Sequence, residues 1–255
     1  MRTEGTMTAA AKPGFVPGAI RALVFDVFGT VVDWRTSIIR EGQALEVRLG
    51  GPASALSGVD WPALADAWRA GYPPAMDEVR RGLLPWTTID GLHRRILDRI
   101  LAERGIQLDV AEAADFNRVW HRLMPWPEVV AGLHQLKERY IISTLSNGNL
   151  SLLVDMAKHG GLPWDCVLSA ELFKHYKPDP EVYLGAAHIL DLEPAQVLMV
   201  AAHPSDLRAA ATTGLRTAYV DRPLEYGPGV PREPYRVGEF DIEVAGFGEL
   251  AQRLA

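Results

Sequence analysis

Apolar residues fall into two rhythms along the chain. Short, nearly continuous apolar runs recur at residues 22–28, 140–145, 166–169, 197–202 and 217–220. Runs of that kind suit strands buried on both faces of a parallel sheet. Between them lie stretches of helical period at 128–139, 150–159, 180–190 and 205–213, the last stopped by Gly214. Strands alternating with helices predict an α/β fold with a doubly wound parallel sheet. A last strand and helix are predicted over 241–254, and the Pro/Gly-rich stretch 222–238 reads as a surface loop.

One region breaks the alternation. From 38 to 124 the pattern is helical throughout, with Ile89, Leu92, Ile96, Leu97, Ile100 and Leu101 at helix spacing and no convincing strand. Four of the seven tryptophans, Trp61, Trp68, Trp86 and Trp120, fall inside it and predict a small helical core. An insertion directly after the first strand sits over that strand's C-terminal edge, where open α/β sheets bind ligands. The predicted organisation is a tail over 1–17, a core from 18–37 and 126–255, and a helical cap over 38–125.

Composition narrows the function classes. The chain has 255 residues, 48% hydrophobic and 23% charged, in the ordinary globular range. Its 26 Lys+Arg against 32 Asp+Glu leave a net charge of −6, which lacks the positive footprint of a nucleic-acid binder. Nothing approaches about 18 consecutive apolar residues, so neither a signal sequence nor a membrane partner is expected. Cys166 is the single cysteine and reads as a small buried hydrophobe in a reducing, cytoplasmic setting. No Cys/His spacing suggests a metal site.

Polar groups cluster at strand ends. Asp26 interrupts the first apolar run and precedes Gly29-Thr30. Ser146-Asn147-Gly148 follows the second, Lys177 lies in the loop Tyr176-Lys177-Pro178-Asp179, and His203 and Asp206 follow a later strand. A carboxylate in an apolar run is costly unless neighbours and backbone N–H groups stabilise it, so Asp26 either caps a turn or carries chemistry. Several polar strand ends converge on one crevice, which favours chemistry.

In this order and at these separations, Phe25-Asp26-Val27-Phe28-Gly29-Thr30, Leu145-Ser146-Asn147-Gly148, Lys177-Pro178-Asp179 and Asp206 resemble the four motifs of the haloacid dehalogenase superfamily. The resemblance covers nearly the whole chain from Ile20 onward. It implies a Rossmann-like core, an aspartate nucleophile at Asp26 and a helical cap. Most members are magnesium-dependent phosphatases with a second Asp two residues after the nucleophile and an acidic ligand four residues before the last motif Asp. Here those positions hold Phe28 and Ala202. The phosphatase pattern thus lacks its general acid and much of its hold on a hard cation.

The sequence is more similar to the L-2-haloacid dehalogenase branch, where a halide leaves without needing a proton and no cofactor or metal is implied. That resemblance implies covalent displacement on a small haloacid, with release of halide and a 2-hydroxy acid. Asp26 would attack the halogen-bearing carbon, and the halide would depart toward Arg69, Asn147 and the ring of Phe28. Lys177 would hold charge at the site, while Ser146 and Thr30 orient substrate carboxylate and nucleophile. Tyr183 matches a tyrosine of the branch, or else packs a helix. Asp206 is the candidate acid–base partner for the hydrolytic water, directly or through Lys177, and also suits a helix N-terminus. His203 stands where the branch has Asn; it either polarises water, donates to the halide or is structural. Arg69 is otherwise a solvated helix charge, and His175 a surface residue. A small-metabolite phosphatase and a non-catalytic binding relative are the alternatives. Fluoroacetate is a candidate substrate, and homodimers are common in the branch, although the sequence itself leaves assembly open.

Overall fold

The structure, a computed structural model, describes residues 14–255, so most of the stretch read as a tail lies outside the described residues. Six strands form one parallel sheet: β1 (Ala22–Phe25), β4 (Ile141–Ser146), β5 (Cys166–Ser169), β6 (Val197–Ala201), β7 (Arg216–Val220) and β8 (Ile242–Val244). Their spatial order is β5-β4-β1-β6-β7-β8. Phe25 pairs in register with Thr144 on one side and Val200 on the other. All residues of β1 and β6 are buried, which is why these strands read as unbroken apolar runs.

From β1 the chain builds outward through β4 and β5, then crosses back to lay β6 along the opposite edge of β1. Such a reversal opens a crevice at the C-terminal strand ends. Helices α6 (Val129–Lys137), α7 (Leu150–Gly160), α8 (Pro180–Ile189), α9 (Pro204–Thr212) and α10 (Phe247–Arg253) connect or follow the strands.

β1 stops at Phe25, earlier than its apolar run. Beyond it the backbone turns: the Val31 N–H donates to Val27 O and the Gly29 N–H to Val32 O, both at 3.0 Å. Gly29 holds φ +88°, a left-handed conformation open to glycine at little cost. Val27 and Phe28 are buried beyond the strand, Phe28 against the Tyr72, His93 and Trp120 rings of the insertion.

The insertion is helical: α1 (Trp34–Arg48), α2 (Trp61–Ala70), α3 (Tyr72–Arg80), α4 (Ile89–Glu103) and α5 (Val110–Asn117). α1 starts at Trp34, ahead of residue 38, because the Asp33 side chain caps it by accepting the Thr36 N–H. A two-stranded antiparallel ribbon, β2 (Val32–Asp33) with β3 (Met124–Pro125), closes its base. Two residues per strand carry no periodicity, so the pattern of apolar positions missed it. Trp61, Trp68 and Trp120 are buried as expected, whereas Trp86 is half-buried and stacks on Tyr176 at 4.6 Å. Cys166 is likewise only partly buried, packed against the core.

The stretch 222–238 departs from a simple surface loop. Arg222 and Glu225 are buried. Arg222 donates to Thr30 O at 2.9 Å and pairs with Glu128 at 2.7 Å, drawing the start of the loop under the β1 turn. Among the described residues no helix is long and apolar enough to cross a membrane.

Candidate active site

Asp26 is the first residue beyond β1, its N–H bonded to Val200 O of β6 at 3.0 Å. Its carboxylate is buried yet fully partnered. Oδ1 accepts from Lys177 Nζ at 3.0 Å; Oδ2 accepts from Thr30 Oγ1 at 2.7 Å and lies 3.0 Å from His203 Nδ1. Burial pushes this carboxyl's pKa up, but Lys177, His203 and Thr30 outweigh it and hold the group well below the ordinary carboxylate range. Asp26 is therefore an anion with its charge shared between two cations.

Lys177 reaches in from the loop before α8, its Nζ also 2.5 Å from Asp206 Oδ2. Burial alone would lower its pKa, yet Asp206 and Asp26 raise it, so it stays charged. Asp206 lies in the first turn of α9, behind Pro204 at the helix start, where the helix dipole favours an anion. Its Oδ1 accepts from the Tyr183 hydroxyl at 2.5 Å. Burial beside Asp206 drives the Tyr183 phenol far up, so this tyrosine works as a fixed donor.

His203, the residue preceding α9, has Glu225 on its other side, with Nε2 2.9 and 3.1 Å from the two Glu225 oxygens. Burial lowers the imidazole, but Glu225 and Asp26 prevail and raise it from 6.5 to about 10. Glu225 also accepts from Trp34 Nε1 at 3.3 Å.

These groups open onto a cavity of about 190 Å³ between the strand ends and α2–α3. Asp26, Phe28, Arg69, Asn147, Lys177, His203 and Asp206 line it together with Tyr72, Met76 and Ser205. The Arg69 guanidinium lies 5.0 Å over the Tyr72 ring, and among the described residues its buried Nε has no hydrogen-bond partner. Phe28 is packed edge-on by Trp120 at 5.4 Å and by Tyr72 at 6.4 Å. Asn147 accepts the Lys177 N–H at 2.7 Å, so it positions the lysine loop as well as facing the cavity.

Three of the residues singled out in the sequence stand behind the cavity. Thr30 and Tyr183 are fully buried and act through Asp26 and Asp206. Ser146 is also fully buried, and its hydroxyl accepts the Gly148 N–H at 3.1 Å. In this structure it shapes the turn after β4. His175 is exposed beside Asp179, as expected.

Glu225, Tyr72 and Met76 were not singled out. Tyr72 and Met76 carried a usable signal, since i, i+4 spacing puts both on one face of α3, with Arg80 one step further. Arg80 indeed donates to Lys177 O at 2.5 Å and pairs with Asp179 at 3.1 Å. Glu225 carried no such signal, being one acidic residue in an irregular Pro/Gly-rich stretch. The residues do not fit the magnesium of the phosphatases: the side chains of Ala202 and Phe28 supply no oxygens, the Lys177 amine stands between Asp26 and Asp206, and among the described residues no group of three His, Cys, Asp or Glu side chains is arranged to hold a metal.

A model of the haloacid dehalogenase-like hydrolases matches residues 20–214. (S)-2-haloacid dehalogenase 1 of Pseudomonas sp. (strain CBS-3) is 31% identical, over 81% of this chain and 88% of its own. Two solved structures superpose with TM-scores of 0.87. The L-2-haloacid dehalogenase PA0810 is 48% identical, covering 92% of this chain and 98% of its own. The defluorinating L-2-haloacid dehalogenase Rha0230 is 42% identical, covering 96% and 99%.

Proposed function

This chain belongs to the haloacid dehalogenase-like hydrolases, and from that premise we propose that it hydrolyses short 2-haloalkanoic acids to 2-hydroxy acids through an ester on Asp26. One observation carries the reading: an ionised Asp26 opens on a small cavity lined by Phe28 and Arg69, with no acid at position 28 to protonate a leaving group. A halide needs no proton, whereas the alkoxide released from a phosphate ester does.

In the first step Asp26 Oδ1 forms a bond to the halogen-bearing carbon as the carbon–halogen bond breaks from the opposite side. The halide leaves toward Arg69, Asn147 and the edge of Phe28. In the second step water adds to Cγ of the ester, giving its proton to Asp206, and the Cγ–Oδ1 bond breaks. The product carries away the Asp26 oxygen with inverted configuration, the Asp206 proton passes to its departing alkoxide, and the second water proton leaves the regenerated Asp26 carboxyl for solvent, restoring the anion. Tyr183 and Lys177 hold Asp206 in place for this exchange. The single thiol suits a reducing compartment, and on that ground we place the enzyme in the cytoplasm.

Halide release from chloroacetate, 2-chloropropionate and fluoroacetate, with and without chelator, tests the proposal. Fluoroacetate is included because Rha0230 is a defluorinating enzyme. Chloride release that ignores chelator and disappears in Asp26→Asn is the expected result, and one turnover in ¹⁸O-water should label Asp26 rather than the product. No halide from any substrate sinks the reading, and magnesium-dependent turnover of an aryl phosphate would replace it with a phosphatase.

A further inference from the structure

The two oxygens of Asp26 have unequal surroundings. Oδ1 meets one donor, Lys177 Nζ, whereas Oδ2 meets two, the Thr30 hydroxyl and His203 Nδ1. Lone pairs already engaged by two donors are poor nucleophiles, so bond formation falls to Oδ1, and Oδ2 stays on as the ester carbonyl. When water adds to Cγ, the carbonyl electron pair moves onto Oδ2. Donors fixed in advance around the oxygen that gains charge are the most effective electrostatic device an acyl site has.

The state of His203 follows from its neighbours. Nδ1 faces the Asp26 carboxylate and Nε2 faces both oxygens of the Glu225 carboxylate. An ionised carboxylate only accepts, so each ring nitrogen must carry hydrogen. The Thr30 hydroxyl is set in the same way: it accepts the Ala202 N–H at 2.9 Å and thus turns its own hydrogen to Asp26. The Glu225 side chain is buried, with only 3% of it exposed. Gly29 makes room for it, because a Cβ there would collide with the Glu225 carboxylate.

We propose that Glu225 is a positioning residue that holds His203, together with Thr30, as the donor pair for the oxyanion formed on Asp26 Oδ2 during ester hydrolysis. The proposal rests on the aspartyl-ester reading above and deepens it. The raised pKa of His203 agrees with the geometry. The charged and titratable groups around the ring are Asp26 after β1, Glu225 and Tyr226 in the loop after β7, Asp206 on α9, and Lys177 and Arg69 across the cavity. Glu225 and Asp26 both favour the cation, so losing Glu225 moves the His203 titration toward neutral pH.

Rapid-quench chloride release, intact mass and pH profiles with 2-chloropropionate test this in wild type, Glu225→Gln, Glu225→Asp and His203→Gln. In Glu225→Gln the first-turnover chloride burst should persist, while steady-state turnover falls about tenfold, the difference between a charged and a neutral donor. An ester adduct should accumulate, and the alkaline limb of turnover should move to lower pH, with Glu225→Asp restoring part of both. His203→Gln carries the same test if Glu225→Gln does not fold: the adduct builds up and the alkaline limb vanishes. Burst and steady state falling together without adduct, or an unmoved alkaline limb, overturns the proposal. A wild-type enzyme that releases no halide from any haloacid overturns the functional reading instead, before the variants are compared.

Discussion

His203 couples chemistry to stability. Its folded pKa of about 10 lies above its ordinary 6.5, so between those values the folded state binds protons that the unfolded chain does not. Its stabilising contribution is complete below about pH 6.5 and is lost as pH rises through about 10. Asp26 works in the opposite sense: its depressed pKa contributes above 3.8 and is lost only as pH falls well into acid. Urea midpoints measured from pH 6 to 10.5 should therefore fall more steeply in wild type than in His203→Gln. Parallel curves would show that the imidazolium carries none of the alkaline dependence. Asp26 was legible as a residue because a carboxylate in an apolar run is conspicuous. Glu225 was not, since its partners lie 22 and 191 positions away along the chain.

α6 and α10 show what one atom does at the level of elements. α6 turns Val129, Gly132, Leu133 and Leu136 inward. A Cβ on Gly132 would stand 2.9 Å from the Phe247 carbonyl carbon and 3.1 Å from Gly248 N, and would also meet the Phe247 Cβ. Backbone at a helix start cannot rotate away as a flexible side chain can. Gly132→Ala should cost about 1–3 kcal/mol in urea unfolding, as overpacking does. A midpoint equal to wild type would mean the helices slide apart freely. At this scale the sequence was informative about long elements, whose burial repeats with a period. It was silent about the β2–β3 ribbon, which is too short to repeat.

For the whole molecule, the decisive fact is that the insertion and the sheet share one hydrophobic cluster, so the helices close the crevice instead of hanging beside it. The resulting cavity of about 190 Å³ has Asp26 at one side and Tyr72 and Met76 of α3 in its wall. Met76 is the flexible part of its wall, and Met76→Ala should raise kcat/KM for 2-chlorohexanoate relative to 2-chloropropionate by about tenfold, the scale of a few apolar contacts. An unchanged ratio would locate the length limit elsewhere. With a net charge of −6 the molecule offers a small anion no general attraction, and the cavity meets it with Arg69, Lys177 and His203. The sequence by itself determined the parallel sheet and the helical insertion, because each is written in local period, while its resemblance to a family pointed to Asp26 as nucleophile and to the side chains that the phosphatases have at 28 and 202 and this chain lacks. Only the tertiary structure decided that α3 supplies the wall and that Glu225 stands behind His203. Those outcomes depend on which distant segments share a buried space, and a loop without a period records nothing of the neighbours that packing will give it.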